Sequence, residues 1–239
     1  MFFFKPIGGM YREYQGIKMI AEPKDISLYR SLLPEQFSLP KQPAVSLFIA
    51  DYLKVAPWPF RILPWSMTRY QEVGVFLRSS YQEREGWFCL TIPVSTWLSM
   101  ALGRYFLGFP KYVADEISLE EKDGNWHGWV KHKDKQRLSL KFDPGIKRGL
   151  APWEEKILND KALFEDSIYL LLPAERGPKI NRVWMEEIVP PQWSPELGMV
   201  QATISPDDPW AGLISTDTAY PGMYNYFVGG NSLISEKFS

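Results

Sequence analysis

The chain has 239 residues, of which 45% are hydrophobic and 23% charged, with a formal net charge of −1. That balance offers no long-range attraction to nucleic acid or to an anionic membrane, so neither is expected as a partner. The length and apolar content suffice to bury a core without staples.

Met1-Phe2-Phe3-Phe4-Lys5 is apolar but too short for a signal core, and no run approaches the length of a membrane span. Glu13 to Ile20 reads as a first strand with Arg12 at its edge. Asp25 to Leu33 has apolar spacing suited to a helical face, an acidic first turn and Pro34 as its stop. Ala44 to Tyr52 is rich enough in β-branched and aromatic residues to be a strand. Pro57, Pro59 and Pro64 then break regular structure, leaving Trp58, Phe60 and Trp65 in a loop. Apolar rings in such a loop need cover, from the core or from another subunit.

Tyr70 to Leu77 and Trp87 to Val94 are the next strands, with the polar 78–86 segment as their hairpin connection. The single cysteine, Cys89, lies among Trp87, Phe88, Leu90 and Ile92, where a small buried hydrophobe fits better than a nucleophile. One cysteine allows no intrachain disulfide, so a reducing, cytoplasmic setting is expected. Ser95 reads as an N-cap for a short helix with Trp97, Met100 and Ala101 on one face, and Gly103 as its C-terminal cap.

Beyond Lys111 the pattern turns to strands. Tyr112 to Glu121, Trp126 to His132 and Arg137 to Phe142 form a meander, with Asp123-Gly124 as a tight turn. The basic cluster from Lys131 to Arg137 reads as a solvated hairpin end. Trp153 to Leu158 is a candidate helix; Ile168 to Leu172, Ile180 to Val189, Met199 to Ile204 and Ala219 to Phe227 are further strands. Gly229-Gly230 reads as a turn before a frayed tail. Many short strands at this spacing argue for a sandwich or a barrel. With no repeat, linker or low-complexity segment, residues 1–239 are expected to form a single domain.

Few residues suggest chemistry. His127 and His132 lie five apart on one strand, hence on opposite faces, and there is no cysteine pair, so no metal or cofactor is expected. Glu72 shares a strand face with Tyr70, Gly74 and Phe76, and alternation alone leaves open whether that face is inward. Lys111 follows a proline inside the run Gly103-Arg104-Tyr105-Phe106-Leu107-Gly108-Phe109-Pro110-Lys111-Tyr112. One reading has it extend its stem and place its head in water. The other keeps it dry, where an ammonium is costly and a lysine responds by losing its proton to become a nucleophile.

Gly-Arg followed after a few residues by Gly-Phe-Pro-Lys resembles the signature of the acetoacetate decarboxylase superfamily. Tyr11-Arg12-Glu13-Tyr14 and Tyr70-Gln71-Glu72 resemble two further motifs of that family in the same order, and the likeness extends to Tyr224-Asn225-Tyr226. The resemblance implies a mainly β fold, a single-domain antiparallel barrel with a few short peripheral helices. It also implies an enzyme, a carbon–carbon lyase whose Lys111 forms a Schiff base with a small keto acid, most simply decarboxylating a β-keto acid. Lys111 and Glu72 would be catalytic, and Arg12 would bind the substrate carboxylate with its bidentate fork. Phe109 and Tyr112 are expected to line the substrate site and, with Phe106, to desolvate the lysine. A homo-oligomer is expected as well.

Two departures qualify that inference. Tyr112 stands where the decarboxylase has a second lysine, and Phe48 where it has a second acid. Acetoacetate decarboxylase is itself an instance of a lysine activated by its surroundings. Without those groups, an aldolase or dehydratase working through the same imine is the alternative. A small-ligand-binding barrel without catalysis, or a purely structural oligomer module, would need neither.

Overall fold

The protein is described by a computed structural model over residues 10–56, 68–146, 148–159, 168–173, 180–189 and 195–238. For 168–173, 180–189 and 227–238 only the backbone path is described. The proline-rich segment with Trp58, Phe60 and Trp65 lies outside the described residues.

A single 12-stranded sheet organises the chain. Its strands are β1 (Met10–Ala21), β2 (Val45–Ala56), β3 (Thr68–Tyr81), β4 (Arg84–Val94), β5 (Lys111–Val113), β6 (Glu116–Lys122), β7 (Asn125–His132), β8 (Lys135–Pro144), β9 (Ile168–Pro173), β10 (Ile180–Val189), β11 (Glu196–Ile204) and β12 (Ala219–Phe238). Among the described residues three short α-helices accompany them: α1 (Ile26–Leu32), α2 (Trp97–Leu107) and α3 (Pro152–Asn159). The order β1-β2-β3-β4-β9-β10-β12 closes on itself through β1–β12 pairing, which makes a barrel. From the first part of β12 the sheet continues as β11-β8-β7-β6, a second layer that folds back over β2 and β3. Pairing is antiparallel except where β4 meets β5 and β9.

β12 joins the two layers. Its Ala219–Tyr224 part pairs with β11, its middle with β1, and its 231–238 part with β10. Gly229 and Gly230 therefore lie within a strand and not in a terminal turn; Gly230 is paired with Tyr11. The predicted strand from Tyr112 to Glu121 is in fact two. The amide of Ala114 still bonds to Val94, but that of Asp115 bonds to Lys131, so the chain changes partner between them. The long polar connection expected over 78–86 is a two-residue turn at Gln82-Glu83, both at positive φ. An Arg78–Glu85 ion pair spans the strands beside it. Asp123-Gly124 forms the expected tight turn, again at positive φ. In α1 the acidic residue caps rather than occupies the first turn, Asp25 accepting from the amides of Ser27 and Leu28.

β1, β2 and β3 are covered on both faces, so each contributes buried apolar residues to both of its sides. Ile17 and Met19, Val45, Leu47 and Ile49, and Val73, Val75 and Leu77 face outward from the barrel into the main core. There they meet Ile117, Val130, Leu138, Leu140 and Val200 of the second layer. The opposite faces turn into the barrel, where Ile20, Phe76, Trp87, Cys89, Ile92, Val94 and Phe109 form a second core. A register shift in β4 lets Cys89 and Ile92 both point inward.

The two layers approach closely where Gly128 of β7 faces Ile49 of β2. A Cβ on Gly128 would lie 3.0 Å from Ile49 Cδ1. Valine normally favours a strand over glycine, but here its branches would wedge the layers apart. Gly128→Val is expected to lower stability by about 1–3 kcal/mol, read as an earlier urea midpoint. An unchanged or later midpoint would mean that β7 does not pack on β2.

Candidate active site

Lys111 reaches the barrel interior through a parallel β4–α2–β5 unit. Thr96, not Ser95, is the N-cap of α2; its side chain accepts from the Ser99 amide, while the Ser95 hydroxyl accepts from the Gln71 amide of β3. The helix ends at Gly108, whose φ of 72° is the left-handed conformation that favours glycine. The carbonyl of Gly103 accepts from the amides of both Gly108 and Phe109. Pro110 prevents continuation, and Lys111 opens β5 opposite Ile92. Trp97 is 67% exposed and does not share the buried face with Ala101.

Gly103, expected as a cap, lies inside α2 and has another task. A Cβ there would sit 2.5 Å from Lys111 Cε, so the missing side chain makes the channel for the lysine stem. Arg104, the next residue, donates a long 3.5 Å bond to the Lys111 carbonyl. The Gly-Arg…Gly-Phe-Pro-Lys stretch thus lays down, aims and anchors one lysine.

That lysine does not reach water. Lys111 Nζ lies 2.5 Å from Glu72 Oε2, and both side chains are only 7% exposed. Alternation on β3 left the direction of Glu72 open; the structure turns it inward, with Tyr70, Gly74 and Phe76. The amine also lies 5.5 Å from the ring centre of Tyr70 and 5.4 Å from that of Phe109. Tyr70 stacks on Tyr52 at 4.8 Å, and Tyr14 meets Tyr52 edge-on at 5.1 Å. Burial first, then the Glu72 carboxylate, push the Tyr14 phenol well above its ordinary value. Burial likewise pushes the Cys89 thiol up, with Glu72 adding to the shift and Lys111 opposing it. That fits an inert, buried thiol.

The residues singled out from the sequence part company here. Glu72, Lys111 and Phe109 come together. Tyr112 does not: it points to the other side of β5 and packs against His132 at 4.8 Å. Strand alternation imposes this on neighbours in a strand, so Tyr112 neither desolvates the amine nor lines its surroundings. The side chains of Arg12 and Phe106 lie outside the described residues. The backbone of Arg12 falls at a register shift between β1 and β2, two residues from Tyr14. Phe48, where a second acid was expected from the resemblance, stacks on Phe76 at 5.6 Å. It occupies the space over Gly74, and any Cβ there would strike it. Tyr70, quoted in a motif but given no role, proves to be a direct neighbour of the amine. Among the described residues no three His, Cys, Asp or Glu side chains are placed to hold a metal. No described helix is long and apolar enough to cross a membrane.

Residues 17–212 match the family model described as acetoacetate decarboxylase (ADC), a span that includes Glu72 and Lys111 but not Arg12. No curated protein matches the chain. Solved structures do. The enduracididine biosynthesis enzyme MppR complexed with pyruvate aligns with a TM-score of 0.73 at 14% identity, over 99% of this chain and 91% of that one. Acetoacetate decarboxylase from Legionella pneumophila aligns with a TM-score of 0.69 at 16% identity, over 100% and 92%. An acetoacetate decarboxylase-like enzyme from Sphingomonas wittichii RW1 gives 0.65 at 12% identity, over 99% and 94%. At such identities the likeness establishes a shared fold: a mainly β, barrel-like curled sheet with short helices.

Gly103 yields a test with an internal control. In a helix, alanine is ordinarily better than glycine by about 1 kcal/mol. Against the lysine stem, the added methyl overpacks at a typical cost of about 1–3 kcal/mol. Gly103→Ala is therefore expected to destabilise the protein, yet to stabilise it in a Lys111→Ala background. Stabilisation in both backgrounds, measured by urea unfolding, would remove Gly103 from the lysine's channel.

Proposed function

The chain belongs to the acetoacetate decarboxylase family, and on that footing we propose that it is a carbon–carbon lyase whose Lys111 forms a Schiff base with a small keto acid. The observation that carries this reading is the Lys111–Glu72 pair, 2.5 Å apart with both side chains 7% exposed. A buried ion pair is poor evidence of a stability device, since apolar residues of similar volume often do as well or better. Held inside a barrel, the pair instead sets an amine in hydrogen-bond contact with a group that can accept its proton, the geometry that acid–base chemistry needs.

Glu72 supplies what the amine needs to react. An ammonium cannot attack a carbonyl, so its proton must first leave, and the carboxylate is already in hydrogen-bond contact with it. Transfer gives an amine able to attack and, beside it, a carboxylic acid able to return the proton. The amine nitrogen then bonds to the ketone carbon, while the carbonyl electrons move to oxygen, which takes a proton. Loss of water leaves a protonated imine. In a β-keto acid the bond to the carboxylate breaks next, its electrons flow into the imine, and carbon dioxide departs. The enamine is protonated on carbon, and hydrolysis returns Lys111. Arg12 would hold the carboxylate before it leaves.

A second reading keeps the imine but not the decarboxylation. Phe48 is a ring where the decarboxylase resemblance calls for an acid, and Tyr112 faces away from the amine. Aldol addition or dehydration through the same enamine fits that reduced set, and the fold is shared with MppR, a biosynthetic enzyme.

Incubation with acetoacetate or pyruvate and cyanoborohydride is expected to leave one reduced adduct on Lys111, absent in Lys111→Ala. No adduct, or one spread over surface lysines, would overturn the reading. Release of carbon dioxide from acetoacetate selects decarboxylation; trapping without release selects aldol or dehydration chemistry.

A further inference from the structure

The surroundings of Lys111 Nζ are more specific than a dry pocket. Two ring faces, Tyr70 and Phe109, stand 5.5 and 5.4 Å from it, within the range over which a cation is attracted to an aromatic quadrupole. Glu72 contacts the same nitrogen. Tyr70 is fixed in turn by near-parallel stacking on Tyr52, with an interplanar angle of 11°. Phe109 is buried and follows directly on the left-handed Gly108 cap. Neither ring is free to turn aside.

The ring faces serve a cation, whichever cation that nitrogen bears. When imine formation replaces two hydrogens on nitrogen with a carbon, the positive charge stays at the same place. A protonated imine carries its charge from the loss of water until the departing electron pair neutralises it in the enamine, whereas the ammonium must be given up for attack. We propose that Tyr70 and Phe109 form an aromatic cage that stabilises the protonated imine on Lys111, so that Tyr70 is a further catalytic residue. This rests on the Schiff-base reading above. It also assigns the rings a purpose other than drying the amine: dryness disfavours charge on nitrogen, and the cage holds the charge that the electron sink requires.

The cage uses the ring face of Tyr70, so Tyr70→Phe, which keeps the ring, should retain more imine trapping than Tyr70→Leu. At a pH alkaline enough for the free amine to be uncharged, so that the ring faces favour only the imine, Tyr70→Leu and Phe109→Leu should lower the imine equilibrium constant with pyruvate by about two- to thirty-fold each, read from the concentration dependence of cyanoborohydride trapping. Fluorinated phenylalanines at position 109 keep the ring's shape while draining its face of negative charge, so trapping should fall stepwise with each fluorine. That arm reads even where a leucine variant fails to fold. Oxamate, an isostere of pyruvate that forms no imine, should lose much less affinity in these variants than imine trapping does. Trapping in the native protein that is unchanged by leucine or fluorine overturns the cage and leaves the Schiff-base reading intact. Oxamate binding that falls in parallel with trapping makes the rings packing and also overturns the cage. A native protein that traps neither pyruvate nor acetoacetate overturns the Schiff-base reading, and the cage with it.

Discussion

Everything that gives this barrel a chemical character depends on holding one ammonium and one carboxylate together away from water. Isolated, either charge would be very costly in such a place; together, at 2.5 Å, each is the other's solvent. The rest of the architecture supplies the enclosure. β3 can bring Glu72 inside only because its other face is occupied by the second layer, so neither side of the strand is left wet. α2 can approach Lys111 only because Gly103 has no side chain. β12 keeps the layers in one sheet and closes the barrel against β1.

The departures from the decarboxylase resemblance have a structural logic of their own. Phe48 and Phe76 form a stacked apolar floor over Gly74. A carboxylate in place of Phe48 would bring a second negative charge to the interior that holds Glu72. Tyr112 is diverted to the opposite side of β5, where it meets His132 and takes its electrostatic surroundings from Asp208 and Arg137. The result is a site in which one acid and one amine are surrounded by rings, with Tyr14 as a phenol held well above its ordinary value nearby. Such a site favours steps that a single proton carrier can serve.

Much of this was legible in the sequence, and the failures have physical causes. Strand β10 was read over the residues it occupies, Ile180–Val189. The lysine, glutamate and arginine motifs were found in order. The direction of Glu72 was not, because β3 carries apolar residues on both faces, Val73, Val75 and Leu77 on one and Tyr70 and Phe76 on the other, so alternation loses its contrast. Ser95 and Thr96 both offer a capping hydroxyl, and only contact with β3 assigns Ser95 elsewhere. Gly103 and Gly108 are both credible caps until the lysine stem is placed between helix and strand. The break between β5 and β6 and the length of β12 are set by changes of strand partner, which no local pattern records. The neighbours of Lys111 were misjudged in one respect: Tyr112 is next in sequence, but Tyr70, forty-one positions earlier by subtraction of the two numbers, is next in space.

The central claim, a dry and mutually dependent Lys111–Glu72 pair, is tested most directly by a double-mutant cycle on stability. Glu72→Gln and Lys111→Met should each lower the unfolding free energy by about 3–5 kcal/mol, because each strands a buried charge. The double variant should lose less than either single one, since no charge is then left unpaired. Additive losses, or single variants within about 0.5 kcal/mol of the native protein, would mean that the two groups are solvated apart and that the barrel interior has no such pair.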